Sequence, residues 1–315
     1  MNFIDTFKYN YHLKIIHTLV KDGDLENVKN KIKNLKKNDF VIYKKILKDN
    51  ANYLVNSIDL SDIINNNIVW LNSYNKDDLR VLKDFFNFYF SDSLDDISFI
   101  EYEDLLVGEN SHQNITVEDI AENQYQRIIN TTFNKKKINF VLNNSAFYHT
   151  SNNLFFTKTS LSKTFIYLVK NPIETYLFLK EKKFNGDQDL ALNYFLNLDQ
   201  RPHQQNYKDT NIDINIRSWL TNLLSWSDEN VKETFRGMII KYEDLMKNSS
   251  EQLRDIIAHL VQCDLLDKIN YSQIDKYIES HNFEYNNKLK SELSGKEKKF
   301  LSRELDKNDS SYYEW

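Results

Sequence analysis

Apolar residues run unbroken from Ile68 to Leu71, a polar turn follows around Lys76, and apolar positions then recur at Leu79, Leu82, Phe85, Phe86 and Tyr89. The continuous run predicts a buried strand, and the three-and-four spacing after it predicts a helix. A strand that enters a helix through a lysine-bearing turn is the local architecture of a phosphate-binding loop, in which helix N-terminal amides and one lysine hold an anion.

Upstream, residues 1–66 read as an all-helical extension. Ile15, Ile16, Leu19 and Val20 form one stripe, Asp22-Gly-Asp24 a turn, and Leu25, Val28, Ile32 and Leu35 a second stripe. Asp39 begins a third, carried by Val41, Ile42, Ile46, Tyr53 and Leu54. No fixed period extends over three units, so this is not read as a repeat array. The lysines at Lys29–Lys37 and Lys44–Lys48 are read as a solvated face. From Ser91 to Gln126 there is no Lys or Arg, while Asp95, Asp96, Glu101, Glu103, Asp104, Glu118, Asp119 and Glu122 accumulate. That stretch is read as a hydrated loop-plus-helix surface, with an acidic lid over an acceptor as the alternative.

Composition narrows the chemistry. Five glycines (Gly23, Gly108, Gly186, Gly237, Gly295) are spread through 315 residues, none close to another, so no Gly-x-Gly or Walker-type loop exists. The lone Cys263 excludes an intramolecular disulfide framework and a multi-cysteine zinc site, and is read as a core thiol after a helical run at Gln252–Leu260. Net charge −5 carries no nucleic-acid footprint. No run approaches the roughly 20 apolar residues of a membrane span, and no N-terminal segment reads as a signal peptide. The expectation is a cytoplasmic protein, with the Asn-x-Ser/Thr sequons incidental. Abundant Asn, Lys and Ile suit a bacterial coding bias.

Three ordered blocks carry a resemblance. The first is Trp70-Leu-Asn-Ser-Tyr-Asn-Lys-Asp-Asp78 and the helix after it. Without a gap it resembles the 5′-phosphosulfate loop of bacterial cytosolic-type sulfotransferases, Trp-Leu-Ala-Ser-Tyr-Pro-Lys-Ser-Gly-Asn-Thr-Trp-Leu-Arg. Trp70, Leu71, Ser73, Tyr74, Lys76 and Leu82 match; Asn75 stands for Pro, Asp77 for Ser, Asp78 for Gly and Arg80 for Thr. The second block, Thr164 to Phe178, resembles the family's Ile-Tyr-Ile-Val-Arg-Asn-Pro strand, loop and helix, whose Arg and later Ser grip the nucleotide 3′-phosphate. Lys170 takes the Arg position, Pro172 opens the helix, and Phe178 stands where the Ser belongs. The third block is Ile216-Arg-Ser-Trp-Leu220 with Gly237 to Leu245, similar to the family's Ser-Trp helix and its strand ending in Arg-Tyr-Glu-Asp-Leu. A second Tyr-Glu-Asp-Leu at Tyr102–Leu105 lacks a preceding apolar strand and is read as coincidence.

The resemblance implies an α/β fold with a P-loop-like central parallel sheet flanked by helices over residues 67–315. It also implies a sulfuryl transfer from 3′-phosphoadenosine-5′-phosphosulfate (PAPS) to a hydroxyl on a small molecule or glycan. Such an in-line transfer needs cations on the moving group's oxygens and a base for the acceptor. Lys76 matches the loop lysine. Phe155-Phe-Thr-Lys-Thr-Ser160 stands for the family's Lys-Thr-His, so Lys158 matches the second lysine and Ser160 replaces the base; His149 is nearby in sequence. The family's C-terminal Arg-Lys-Gly corresponds to Asn282-Phe283-Glu284, with Lys288 and Lys290 following. The implied cofactor-binding set is Ser73, Tyr74, Lys76, Asp77, Asp78, Arg80, Lys170 and Phe178, with Lys76, Lys158 and Ser160 catalytic and no metal. Asp77 and Asp78 lie where the anion belongs and read as caps of the following helix. Carboxylates within roughly 4–6 Å of a phosphate oppose it by about one to a few kcal/mol each. Two readings stay open: a PAPS-dependent sulfotransferase, or a catalytically inactive protein of the same fold that serves as a binding or assembly partner. An unrelated helical scaffold is a third, which the ordered blocks oppose.

Overall fold

The computed structural model describes residues 3–57, 67–106, 138–147, 162–198, 203–207, 210–214, 216–281, 283 and 293–305. Seven strands lie among them: β1 (Ile68–Asn72), β2 (Ile97–Glu101), β3 (Ile138–Asn143), β4 (Thr164–Val169), β5 (His203–Tyr207), β6 (Thr210–Ile214) and β7 (Met238–Lys241). Five form one all-parallel sheet in the order β2-β3-β1-β4-β7, while β5 and β6 pair as a separate antiparallel hairpin. The helices, in chain order, begin with α1 (Phe3–Lys21), α2 (Leu25–Asn38), α3 (Phe40–Ser57), α4 (Arg80–Tyr89) and α5 (Tyr102–Leu106). They continue with α6 (Pro172–Phe178), α7 (Gln188–Leu196), α8 (Trp219–Ser227) and α9 (Glu229–Thr234). The last four are α10 (Tyr242–Lys247), α11 (Ser249–Gln262), α12 (Tyr271–Ser280) and α13 (Gly295–Leu305). None of them is long and apolar enough to cross a membrane.

Successive strand residues point to opposite faces, so a strand covered on both sides must be apolar throughout. In β1, Trp70 faces one apolar layer and Val69 and Leu71 the other; β4 divides in the same way, Phe165, Tyr167 and Val169 against Ile166 and Leu168. α4 covers the Leu71 face through Leu82, Phe85 and Phe86, joined there by α11 and α12. α6 covers the Trp70 face through Tyr176 and Leu177, in a layer continuous with the buried Ile16, Val28, Ile32, Leu35, Ile42 and Ile46 of α1–α3. The helix after β1 and the helix after β4 therefore lie on opposite faces. Adjacent parallel strands whose helices diverge leave a crevice at their C-terminal ends.

Local chemistry explains many of the element starts. Asp24 and Asp39 accept from the backbone amides of Asn27 and Ile42, starting α2 and α3 where the polar positions predict. Asn171 accepts from the Ile173 and Glu174 amides ahead of Pro172, and Ser218 accepts from Thr221.

Gly237 enters β7 where space vanishes, since a Cβ there would be driven into the Phe165 ring. That ring is 1% exposed and packs on Trp226 with centroids 4.9 Å apart, so it has nowhere to retreat. Gly237→Ala is expected to cost about 3 kcal/mol of stability by overpacking. A urea titration of the variant with an unchanged midpoint would contradict this.

Candidate functional site

The crevice between β1 and β4 carries half of the residues picked out by sequence, Asp77, Asp78, Arg80, Lys170 and Phe178. β1 ends at Asn72 and the chain turns at once: the Ser73 amide donates to Asn143 O at 3.2 Å, tying the loop to β3. Tyr74 is buried and donates its hydroxyl to the Tyr194 carbonyl at 3.1 Å, with its ring edge-on to Phe195. It anchors the loop to α7 and does not face a ligand. A short 3₁₀ turn, Lys76–Leu79, then leads into α4.

The capping expectation for Asp77 and Asp78 is corrected. Asn75 does the capping, its side chain accepting from the Asp77 amide and its carbonyl from the Asp78 amide at 3.0 Å. Asp77 stays at the surface, 4.0 Å from the Arg80 guanidinium, both well exposed. Asp78 is buried and turns across the crevice, its Oδ1 accepting from Lys170 Nζ at 3.2 Å. Burial raises the Asp78 carboxyl to about 6 even though Lys170 pulls the other way. For Lys170 burial pulls down, but Asp78 and Tyr242 lift it above the ordinary lysine value. Its ammonium also lies over the Tyr242 ring, 4.6 Å from the centroid, with Phe178 at 5.7 Å. An anion at Lys170 therefore competes with a carboxylate already in place.

Lys76 does not face this crevice's ion pair. Its Nζ pairs with Glu103, in the first turn of α5, and, at 3.2 Å, with Glu101, the last residue of β2. The Glu103 side chain is 1% exposed. Two of the expected cations, Lys76 and Lys170, are thus each neutralised by a carboxylate of the same chain. Lys158 and Ser160 lie outside the described residues, as do His149, Glu284, Lys288 and Lys290.

Asp77, Asp78, Arg80, Lys170 and Phe178 share one cleft of about 590 Å³ with Phe283 of the expected C-terminal element, while sequence reasoning did not assign Lys182, Tyr242, Tyr277 and His281 to it. It also missed Glu103, although the signal was present. A strand does precede the Tyr-Glu-Asp-Leu at Tyr102–Leu105, contrary to the sequence reading: β2, Ile-Ser-Phe-Ile-Glu, runs directly into it. The same four residues follow β7 at Tyr242–Leu245. The two copies stand at the two outer strands of the sheet, and each buries its glutamate: Glu103 against Lys76, and Glu243 accepting from the Asn171 amide at 2.8 Å. The acidic stretch read as hydrated surface accordingly contains an edge strand and a buried carboxylate in its described part.

At the other end of β4, Thr164 Oγ1 lies 2.7 Å from His259 Nε2, which is 3.9 Å from Cys263 Sγ. Burial raises the thiol and lowers the imidazole, opposite to what a thiolate–imidazolium pair requires. These are packing groups, as expected for Cys263. Among the described residues no group of three or more His, Cys, Asp and Glu stands ready to hold a metal ion.

Comparison with protein-family models and with curated proteins finds no match to the chain.

Proposed function

We propose that this chain is a sulfotransferase-like protein whose nucleotide site is filled from within, so that it serves as a binding or assembly partner and not as a transferase. One observation carries the reading: Lys76 and Lys170, the cations expected on the PAPS sulfate and 3′-phosphate, each hold a buried carboxylate, Glu103 and Asp78. The P-loop-like part is supported by position. The Lys76 turn follows the central strand and Lys170 follows its neighbour, on the two sides of the point where the covering helices change face. Phosphate loops rely on glycine to bring backbone against the anion, and Asp78 removes that approach while adding like charge.

The second reading, PAPS-dependent transfer to a hydroxyl acceptor, draws support from the cleft that gathers Asp77, Asp78, Arg80, Lys170 and Phe178. It needs Lys158 as a second cation and Ser160 or another group as base.

The two separate in one titration. At pH 7.4 and physiological salt, PAPS is expected to bind with a Kd weaker than about 100 μM, which is under about 5.5 kcal/mol of binding free energy. Micromolar or tighter binding by calorimetry would overturn the first reading.

A further inference from the structure

We propose that the cleft is a proton-linked oxyanion site, in which an incoming sulfate or phosphate group takes the Lys170 ammonium from Asp78 while Asp78 gains a proton from solvent. This rests on the reading that Asp78 occupies the anion's place. It goes further in stating how that place is vacated and which ligand chemistry follows.

The geometry leaves Asp78 few alternatives. It sits on the 3₁₀ turn, 8% exposed, with Lys170 as its ion-pair partner at 3.2 Å. The groups around it are mostly unhelpful to a second negative charge. Asp77 on the same turn and Glu174 on α6 act on it as like charges. Tyr242 on α10 shares Lys170 with it. The cleft lining adds Arg80 and Asp84 from α4, Lys182 after α6 and His281 after α12. If a sulfate moves onto Lys170 and Asp78 stays ionised, a buried carboxylate is left without its cation, beside two carboxylates and a new anion. A buried charge in that position neutralises. The balance is simple: the carboxylate and one proton become a carboxylic acid, and the Lys170 ammonium passes unchanged from Asp78 to the sulfate.

The carboxyl is already poised for this exchange, since burial holds it near 6. Proton linkage then sets the pH dependence. Above about pH 6 the free protein carries ionised Asp78, so each unit of falling pH raises oxyanion affinity up to tenfold. Below that value the proton is in place and the affinity levels off.

Calorimetry with sodium sulfate tests this, because sulfate stays fully ionised from pH 5 to 8 and any proton taken up belongs to the protein. Titrations at pH 7.5, 6.5 and 5.5, at constant ionic strength, in buffers of different ionisation enthalpy, report both affinity and protons. The expected result is about a tenfold rise in affinity from pH 7.5 to 6.5 with close to one proton taken up at pH 7.5. Asp78→Asn, which keeps the shape of the protonated acid, should bind sulfate at pH 7.5 at least tenfold more tightly than the natural chain and without pH dependence. His281→Gln should retain the proton linkage, and Lys170→Met should lose binding at every pH. A natural chain whose sulfate affinity is flat with pH, or that binds no sulfate at pH 5.5, overturns the proposal, as does an Asp78→Asn chain that keeps the pH slope. A flat profile leaves the non-catalytic reading standing, whereas tight PAPS binding at pH 7.4 sinks that reading whatever the slope.

Discussion

Lys76→Ala is expected to lower folding stability by about 3 kcal/mol, because it strands the Glu103 carboxylate in the interior without its cation. The second oxygen of Glu103, Oε1, is buried and finds no hydrogen-bond partner among the described residues, so nothing near it takes up the loss. A lysine kept for a ligand behaves differently: its removal costs binding or rate and leaves the fold intact. Glu103→Gln should be milder, about 1 kcal/mol, since Lys76 is 21% exposed and keeps Glu101. Urea denaturation of both single variants and the double variant reads the coupling directly. A Lys76→Ala midpoint indistinguishable from the natural chain would show that the pair does not hold the fold and that Lys76 is free for an anion.

The second large effect belongs to Glu297, which docks α13 onto α6. Its carboxylate is fully buried and accepts from the Tyr176 hydroxyl at 2.5 Å, Lys180 Nζ at 2.9 Å and the Ser294 amide at 2.6 Å. The Ser294 hydroxyl accepts in return from the Glu297 amide, closing a capping box at the start of the helix. Burial alone would raise this carboxyl, but the Tyr176, Lys180 and Ser294 donors outweigh it and hold it down at about 2. A carboxyl lower in the folded than in the unfolded chain contributes stability that is complete above the unfolded value of about 4.3 and fades as pH falls towards 2. The contribution at pH 7 is about 3 kcal/mol. Glu297→Ala is therefore expected to lower stability by about 3 kcal/mol at pH 7, and the gap to the natural chain should narrow between pH 5 and pH 2. A gap that stays constant with pH would assign the cost to lost packing and not to the charge.

Much of the architecture is legible in the linear chain, and the illegible parts share a cause. β1, the Lys76 turn and α4 are readable because one continuous apolar run and one helical period adjoin each other. The starts at Asn171-Pro172 and Ser218-Trp219 are readable because capping is local chemistry. β2 escapes notice because it is an edge strand, buried at Ile97 and only half-buried from Ser98 to Glu101, next to an acidic turn that suggests solvent. In the β5–β6 hairpin, β5, His-Gln-Gln-Asn-Tyr, has no apolar alternation to betray it, whereas β6, Thr-Asn-Ile-Asp-Ile, does alternate and carries a signal that sequence reasoning missed. The strand order is absent from any local pattern. At the site, the identity of Lys76 and Lys170 is readable but their direction is not. Whether a lysine faces a cleft or a glutamate 27 positions away is decided by which strands become neighbours.

The pairing of Lys76 with Glu103 also makes the history of this chain depend on the order of events. A lineage that loses the lysine first passes through a form with an unpaired interior carboxylate, about 3 kcal/mol weaker, which is a large part of the 5–15 kcal/mol that holds a typical protein together. A lineage that neutralises the glutamate first keeps a partly exposed lysine with Glu101 beside it, and loses far less. The route from this arrangement to an open anion loop is therefore passable from the acidic side and nearly closed from the basic side. Variants that gain an anion loop should be found with Glu103 changed and Lys76 retained, and the opposite combination should be rare.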